Sequence, residues 1–548
     1  MTEPIVDTQF GRVRGAREDG LTVFRGIPYA ASTAGRQRFR PPSPPEPWTG
    51  VRDALRFGCA APQTDPLGAR PNPMDHRVVA PGLALWRSEG VKPAEPESED
   101  CLSLNVWTPS LEPAHARPVM VWLHGGGFDA GSGAEPMYRG GNLARRRDVV
   151  VVTINHRLSV LGYTHLADVG GEEFARSGNA GTLDQVAALE WVRDHIAGFG
   201  GDPNRVMIFG QSGGGWKVST LLGAAPAAGL FQRAAIQSGP AKRVLDRDRA
   251  NLSAELLLHE LGLHEREAER LRDLPVGRLV SASYAVERRL GPPVLPNFLP
   301  AFAPVLDGEV VPAHPFDPVG AAASRDVSVL IGNTRTEMTP YCDEATLSLN
   351  APGLEDKARA WLGDAGSHAL DVYRHLHPEA EPGRIWAYLQ SDVTMLPYTP
   401  VIAERHARLG GSPTYLYRID WETPVLDGRL IAPHAIELPL LFHNFRELPA
   451  TCGSGAATAA MADRLSGAWA AFAETGDPNC PDGDLPPWPA FDAVRRATML
   501  LGDESAVADD PQRIEAALAA ELMPEFEAQL AARLRRTRAD IAGLAQAS

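Results

Sequence analysis

The sequence predicts an α/β protein with a mostly parallel central sheet, and two kinds of segment carry that prediction. Short apolar runs rich in β-branched residues recur along the chain and have no polar face, as expected of strands buried on both sides. Between them lie segments whose apolar residues recur three and four apart, the spacing of one helix face. In chain order, "PVMVWL" (118–123) and "DVVVVTI" (148–154) read as buried strands. A helix follows between "GNAG" and "GGDP", with Leu183, Val186, Leu189, Val192 and Ile196 on one side. Gly200, Gly201 and Pro203 end it, and "RVMIF" (205–209) is the next strand. "QRAAIQSG" (232–239), "VSVLIG" (327–332) and "TYLYRI" (414–419) supply three more. In such a sheet, ligand chemistry is expected at the carboxyl ends of the strands.

The chain has 548 residues and no internal repeat or clean linker, so it reads as one catalytic domain over 1–548 with a charged helical extension from about 520 to 548. The Pro-rich stretches 40–48 and 291–304 and the loop 62–97 read as ordered excursions over the sheet. With 53 basic against 68 acidic residues the net charge is −15, which argues against a nucleic-acid or anionic-membrane partner. No apolar run reaches the length of a membrane span. The N-terminal "MTEPIVDTQFGRVRG" lacks a basic segment followed by an apolar one. Five cysteines, at 59, 101, 342, 452 and 480, show no metal-type pairing such as C-x-x-C. Together these lead to the expectation of a reduced, cytoplasmic protein without a metal.

"FGQSGGG" (209–215) sets one serine among four glycines directly after a strand and before the helix-compatible "WKVSTLL". Strand, G-x-S-x-G, helix is the context of a nucleophile elbow. The turn is sharp enough for side chains two before and two after the serine to collide, which explains Gly210 and Gly214. Ser212 is then lifted above the sheet edge, close to the N–H groups of the following helix. A second Gly-rich turn, His124-Gly125-Gly126-Gly127-Phe128, follows the strand 118–123. Its successive N–H groups can converge on one oxygen, so Gly126 and Gly127, with Gly213, are the candidate oxyanion hole. A base and an acid are harder to choose among fifteen histidines. In α/β-hydrolases the acid follows the serine and the histidine comes last, which brings forward Glu337 in "IGNTRTEMT" and His434 in "IAPHAIELPLLF". The residues alone leave His443 and Asp392 as competitors.

Over residues 8 to about 510 the chain resembles the type-B carboxylesterases, the family of bacterial p-nitrobenzyl esterases and cholinesterases. The matching pieces include "FRGIPYA" (24–30), "SEDCLSLNVW" (98–107), "HGGGF" (124–128), "NHRLSVLGY" (155–163), the run 178–215, "FQRAAIQSG" (231–239), "HAIELPLLF" (434–442) and "WAAFAETGDPN" (469–479). The resemblance implies an α/β-hydrolase fold with a mostly parallel sheet flanked by helices and large insertions over the active site. It also implies serine-ester hydrolysis of a small-molecule ester without a cofactor, the acid at Glu337 and the base at His434. Arg38 with Glu99, and Arg157 with Asp184, match ion pairs of the family.

Three departures stand out. Gln211 and Gly213 replace the usual Glu and Ala around the serine, and "TEM" (336–338) replaces "DEG" at the acid. Ala61 stands where a cysteine is usual, which weakens a Cys59–Cys101 disulfide. In cholinesterases, as the resemblance implies, an acidic residue before the serine helps hold a quaternary ammonium. With neutral Gln211 there, neutral esters are the expected substrates.

Phe128, Gln211 and Trp216 are candidate pocket residues, although Phe128 could equally pack under the glycine loop and Trp216 in the core. Ser238, in "IQSGP", is a second serine lacking the preceding glycine. Amide, carbamate and thioester hydrolysis use the same apparatus, and relatives without the triad act in adhesion. Retention of Ser212, Glu337 and His434 together argues against adhesion. A monomer or homodimer is expected.

Overall fold

The computed structural model describes residues 3–63, 80–88, 95–112, 116–290 and 299–547. Fourteen strands are named among the described residues: β1 (Ile5–Thr8), β2 (Gly11–Arg14), β3 (Ala16–Glu18), β4 (Leu21–Pro28), β5 (Val51–Asp53), β6 (Ser103–Thr108), β7 (Arg117–Leu123), β8 (Val150–Ile154), β9 (Gly201–Gln211), β10 (Arg233–Gln237), β11 (Ser328–Thr334), β12 (Thr414–Ile419), β13 (Ala497–Leu501) and β14 (Ala506–Asp509). Strands β1, β2 and β5 form a small separate sheet. The other eleven form one sheet in the order β14-β13-β12-β11-β10-β9-β7-β8-β6-β4-β3. From β8 to β13 every neighbouring pair in that order is parallel. Antiparallel strands close both ends. All six predicted strands lie in the parallel middle, with β9 running two residues beyond "RVMIF" to the serine turn.

Alternation along these strands builds two cores, because successive side chains point to opposite faces. Val119, Val121 and Leu123 join Val206 and Ile208 on one face. Met120 and Trp122 join Met207 and Phe209 on the other, under the helix Ala456–Thr475. The predicted helix spans Ala180–His195 and continues as a 3-10 turn through Ile196–Phe199. Val186, Leu189 and Val192 are buried as expected, but so are Asp184 and Gln185 on another side. The fully buried Asp184 meets Arg157 at 2.6 Å. Removing one member of such a pair would strand a buried charge, at a cost of about 3–5 kcal/mol. The Arg38–Glu99 pair also forms, and Arg38 donates further to the carbonyls of Leu271, Arg272 and Leu274.

Two helical layers add to the sheet. One packs the helices Arg247–Glu260 and Val276–Leu290 against Phe128 and Tyr163. The other gathers Ala351–Leu362, Ala365–Leu376 and Pro382–Met395. The C-terminal helix, Arg513–Ala547, starts earlier than the sequence suggests and packs on this same chain. Its Leu518, Leu522 and Phe526 enter the second layer and Leu534 touches the first. Of the expected excursions, 64–79 and 89–94 within 62–97, and 291–298 within 291–304, lie outside the described residues. Among the described residues no helix is long and apolar enough to cross a membrane. All five cysteines are free thiols, so Cys59 and Cys101 are not bridged.

Candidate active site

Strand β9 ends at Gln211, and the helix Gly213–Gly223 begins one residue later. Ser212 between them has φ 58° and ψ −124°, a conformation that costs a side-chain-bearing residue energy and recurs at functional turns. The collision argument for the flanking glycines holds: a Cβ on Gly210 would lie 2.6 Å from the Gly214 carbonyl carbon. Leu123, at the end of β7, pairs with Gly210, so the loop after β7 emerges directly beside the serine turn. There Gly126 and Gly127 take φ of +83° and +64°. A Cβ on Gly213 would fall 2.1 Å from the Gly127 carbonyl oxygen. The elbow and the glycine loop are therefore in backbone contact, and the alanine usual at this position has no room. Gly213 opens its helix, so its N–H has no partner within that helix.

Glu337 lies just past β11 and His434 well past β12, its parallel neighbour. Glu337 is fully buried and His434 is 8% exposed. The His434 Nδ1–H donates to Glu337 Oε2, while the other carboxylate oxygen accepts the Thr334 N–H at 2.7 Å. Burial pulls the His434 imidazole down, but the charge and hydrogen bond of Glu337 outweigh it and the net shift is upward. Gln211 Nε2 lies 3.1 Å from His434 Nε2 and 3.4 Å from its Nδ1, so the amide rests against the face of the ring. Glu437 stands behind the pair, its carboxyl pushed up to about 7 by burial and by Glu337.

Thr336 joins the two loops. Its hydroxyl donates to Leu430 O at 2.9 Å and accepts the Ala432 N–H at 2.9 Å, and its own N–H donates to Ala432 O at 3.1 Å. Thr339 adds a bond to Leu430 O at 2.7 Å. Nothing in the sequence marks this clasp, because an ordinary Thr-x-x-Thr carries no periodicity or charge to flag it. The competitors sit elsewhere. His443 Nε2 is 3.2 Å from Asp463, and Asp392 is taken by Arg335, Tyr373 and Gln512. The Ser238 hydroxyl is buried without a hydrogen-bond partner. Phe128 is buried beneath the glycine loop, edge-on to Tyr163 and stacked 5.9 Å from the half-buried Trp216. Gln211 is buried beside His434.

A mixed sheet with a parallel middle, a strained serine turn and loops meeting at the strands' carboxyl ends define the chain as an α/β-hydrolase. It belongs to the carboxylesterase family, whose sequence profile matches residues 2–518. It is 34% identical over 518 residues to the para-nitrobenzyl esterase of Bacillus subtilis (strain 168), covering 93% of this chain and 97% of that one. With the phenmedipham hydrolase of Pseudarthrobacter oxydans it shares 36% over 519 residues, 92% of this chain and 96% of the other. Its structure is similar to that of a Geobacillus stearothermophilus carboxylesterase, with a TM-score of 0.77, 36% identity, and 94% and 99% of the two chains covered. The protein is a carboxylesterase, a serine-dependent hydrolase of carboxylic esters.

Proposed function

We propose that Ser212, His434 and Glu337 carry this reaction, with the N–H groups of Gly126, Gly127 and Gly213 as the oxyanion hole, on neutral small-molecule esters. The observation behind this reading is the buried, hydrogen-bonded Glu337–His434 pair at the strands' ends that also bear the strained Ser212. His434 takes the Ser212 proton on Nε2 as Oγ attacks the ester carbonyl. Glu337 fixes the tautomer with the proton on Nδ1 and stabilises the imidazolium that forms. The three N–H groups hold the tetrahedral oxyanion. His434 then protonates the leaving alcohol, and water repeats the sequence on the acyl-enzyme. The chain acts in this reading as one catalytic domain, and its five free thiols support a reducing, cytoplasmic setting.

The test is labelling with an organophosphonate followed by peptide mapping. The adduct is expected on Ser212, and an adduct on Ser238 would overturn the assignment. Selectivity follows from Gln211, which puts an uncharged amide beside the nucleophile. A cation–π contact contributes about 0.5–2 kcal/mol to holding a quaternary ammonium. We expect kcat/KM for butyrylcholine no higher than for the isostere with tert-butyl in place of trimethylammonium. A clear preference for the cation at physiological salt would reveal another anionic or aromatic wall. Trp216 forms the floor of the pocket in this reading, with Phe128 packed behind it. The same panel, extended to amide, carbamate and thioester analogues, measures how far the site reaches beyond esters.

A further inference from the structure

Five residues after Ser212, the helix Gly213–Gly223 carries Lys217, which is fully buried. A buried ammonium is costly unless it is paired and hydrogen-bonded. Among the described residues Lys217 forms no salt bridge with a carboxylate, and its Nζ has one hydrogen-bond acceptor, the His124 carbonyl oxygen at 2.8 Å. Burial pulls the amine down to about 7, with Asp129 and Glu135 pulling the other way. Glu135 itself is pushed up to about 8 by burial, which weakens it as a counter-charge at neutral pH. The Lys217 amine also stands 5.8 Å from the centre of the Phe128 ring. A costly group with one partner is explained by what that partner does, and His124 is the residue immediately before Gly125-Gly126-Gly127.

We propose that Lys217 is a positioning residue that fixes the glycine loop from beneath, by binding the His124 carbonyl and so aiming the Gly126 and Gly127 N–H groups. The inference rests on the oxyanion role given to that loop. Three features support it. Glycine peptides rotate readily, so a loop of three in succession needs an external anchor. The anchor rises from the helix that Ser212 opens, which ties nucleophile and loop to one rigid element. The loop's other supports bear on neighbouring positions: His124 stacks on His156 with ring centres 4.8 Å apart, and Gln63 clasps Gly131 from both sides. None of these holds the His124 carbonyl.

Lys217→Met keeps the bulk and removes the donor. It is expected to lower kcat ~10–100-fold, somewhat less than losing an oxyanion donor outright, with KM within about threefold. Affinity for an alkyl trifluoromethyl ketone, whose hemiketal oxygen mimics the oxyanion, should fall in parallel with kcat. A lysine that only packed the core would not produce that parallel. Lys217→Gln, which retains a shorter donor, should recover part of both losses, and it carries the test if the methionine variant does not fold. A kcat within twofold of wild type in the folded methionine variant (or in the glutamine variant, should only that one fold), or a loss of kcat with unchanged trifluoromethyl ketone affinity, overturns the inference. Phosphonate labelling separates the two levels. Failure to label Ser212 in the wild type would remove the underlying reading, whereas normal labelling with an unaffected Lys217→Met would sink this inference alone.

Discussion

Ser212→Ala is expected to lower kcat by about 10⁶, leaving only the residual rate that the oxyanion hole and binding provide. The variant should fold as the wild type does. Alanine replaces serine at the same φ of 58°, and the serine hydroxyl makes no hydrogen bond among the described residues. Its thermal midpoint should therefore stay within a degree or two while activity vanishes. Steady-state rates on a nitrophenyl ester, checked against active-site titration to exclude trace wild type, make the measurement. Retention of more than a few per cent of kcat would place the nucleophile elsewhere.

Glu337→Gln is expected to cost about 10⁴ in kcat, because an amide in that place favours the wrong tautomer of the base. The Nδ1–H of His434 now meets the carboxylate; a glutamine can turn its NH₂ toward the ring and leave the proton on Nε2, where the lone pair is needed. The pH profile supplies a second readout. A base acts only when neutral, so wild-type activity should rise with pH through a midpoint above the ordinary histidine value of about 6.5, as Glu337 holds the imidazolium. Removing that charge leaves burial, which disfavours the cation, so the residual activity of the variant should rise at a lower pH. A midpoint that moves upward, or no change in the profile, would contradict the role given to Glu337.

Six of the seven strands in the parallel middle were legible, because strands buried on both faces leave uninterrupted apolar runs, and all six such runs became strands. The seventh, β13, was not anticipated. The elbow was legible because collisions around a sharp turn require glycine at fixed offsets. The proposed base and acid were less so. Order along the chain and family resemblance brought forward Glu337 and His434, while residue type alone could not separate them from Asp392 and His443. That separation depends on partners that sequence spacing does not encode: Arg335 and Tyr373 around Asp392, and Asp463 beside His443. The contact of Gly213 with Gly127 was also hidden, since it joins two turns 86 positions apart whose proximity follows from the pairing of β7 with β9.

The clasp made by Thr336 bears on how this site comes apart. Glu337 and His434 are 97 positions apart, yet the segments that carry them share reciprocal backbone bonds and one hydroxyl. Local openings in proteins occur in cooperative units defined by such bonding rather than by chain order. Glu337 and His434 thus belong to one opening unit: a fluctuation that frees the 430–434 segment also breaks the bonds that hold Thr336 beside Glu337. The amides of Thr336 and Ala432 should then exchange with solvent at a common rate, and partial disorder at this end of the sheet would remove the pair together instead of leaving a misaligned half.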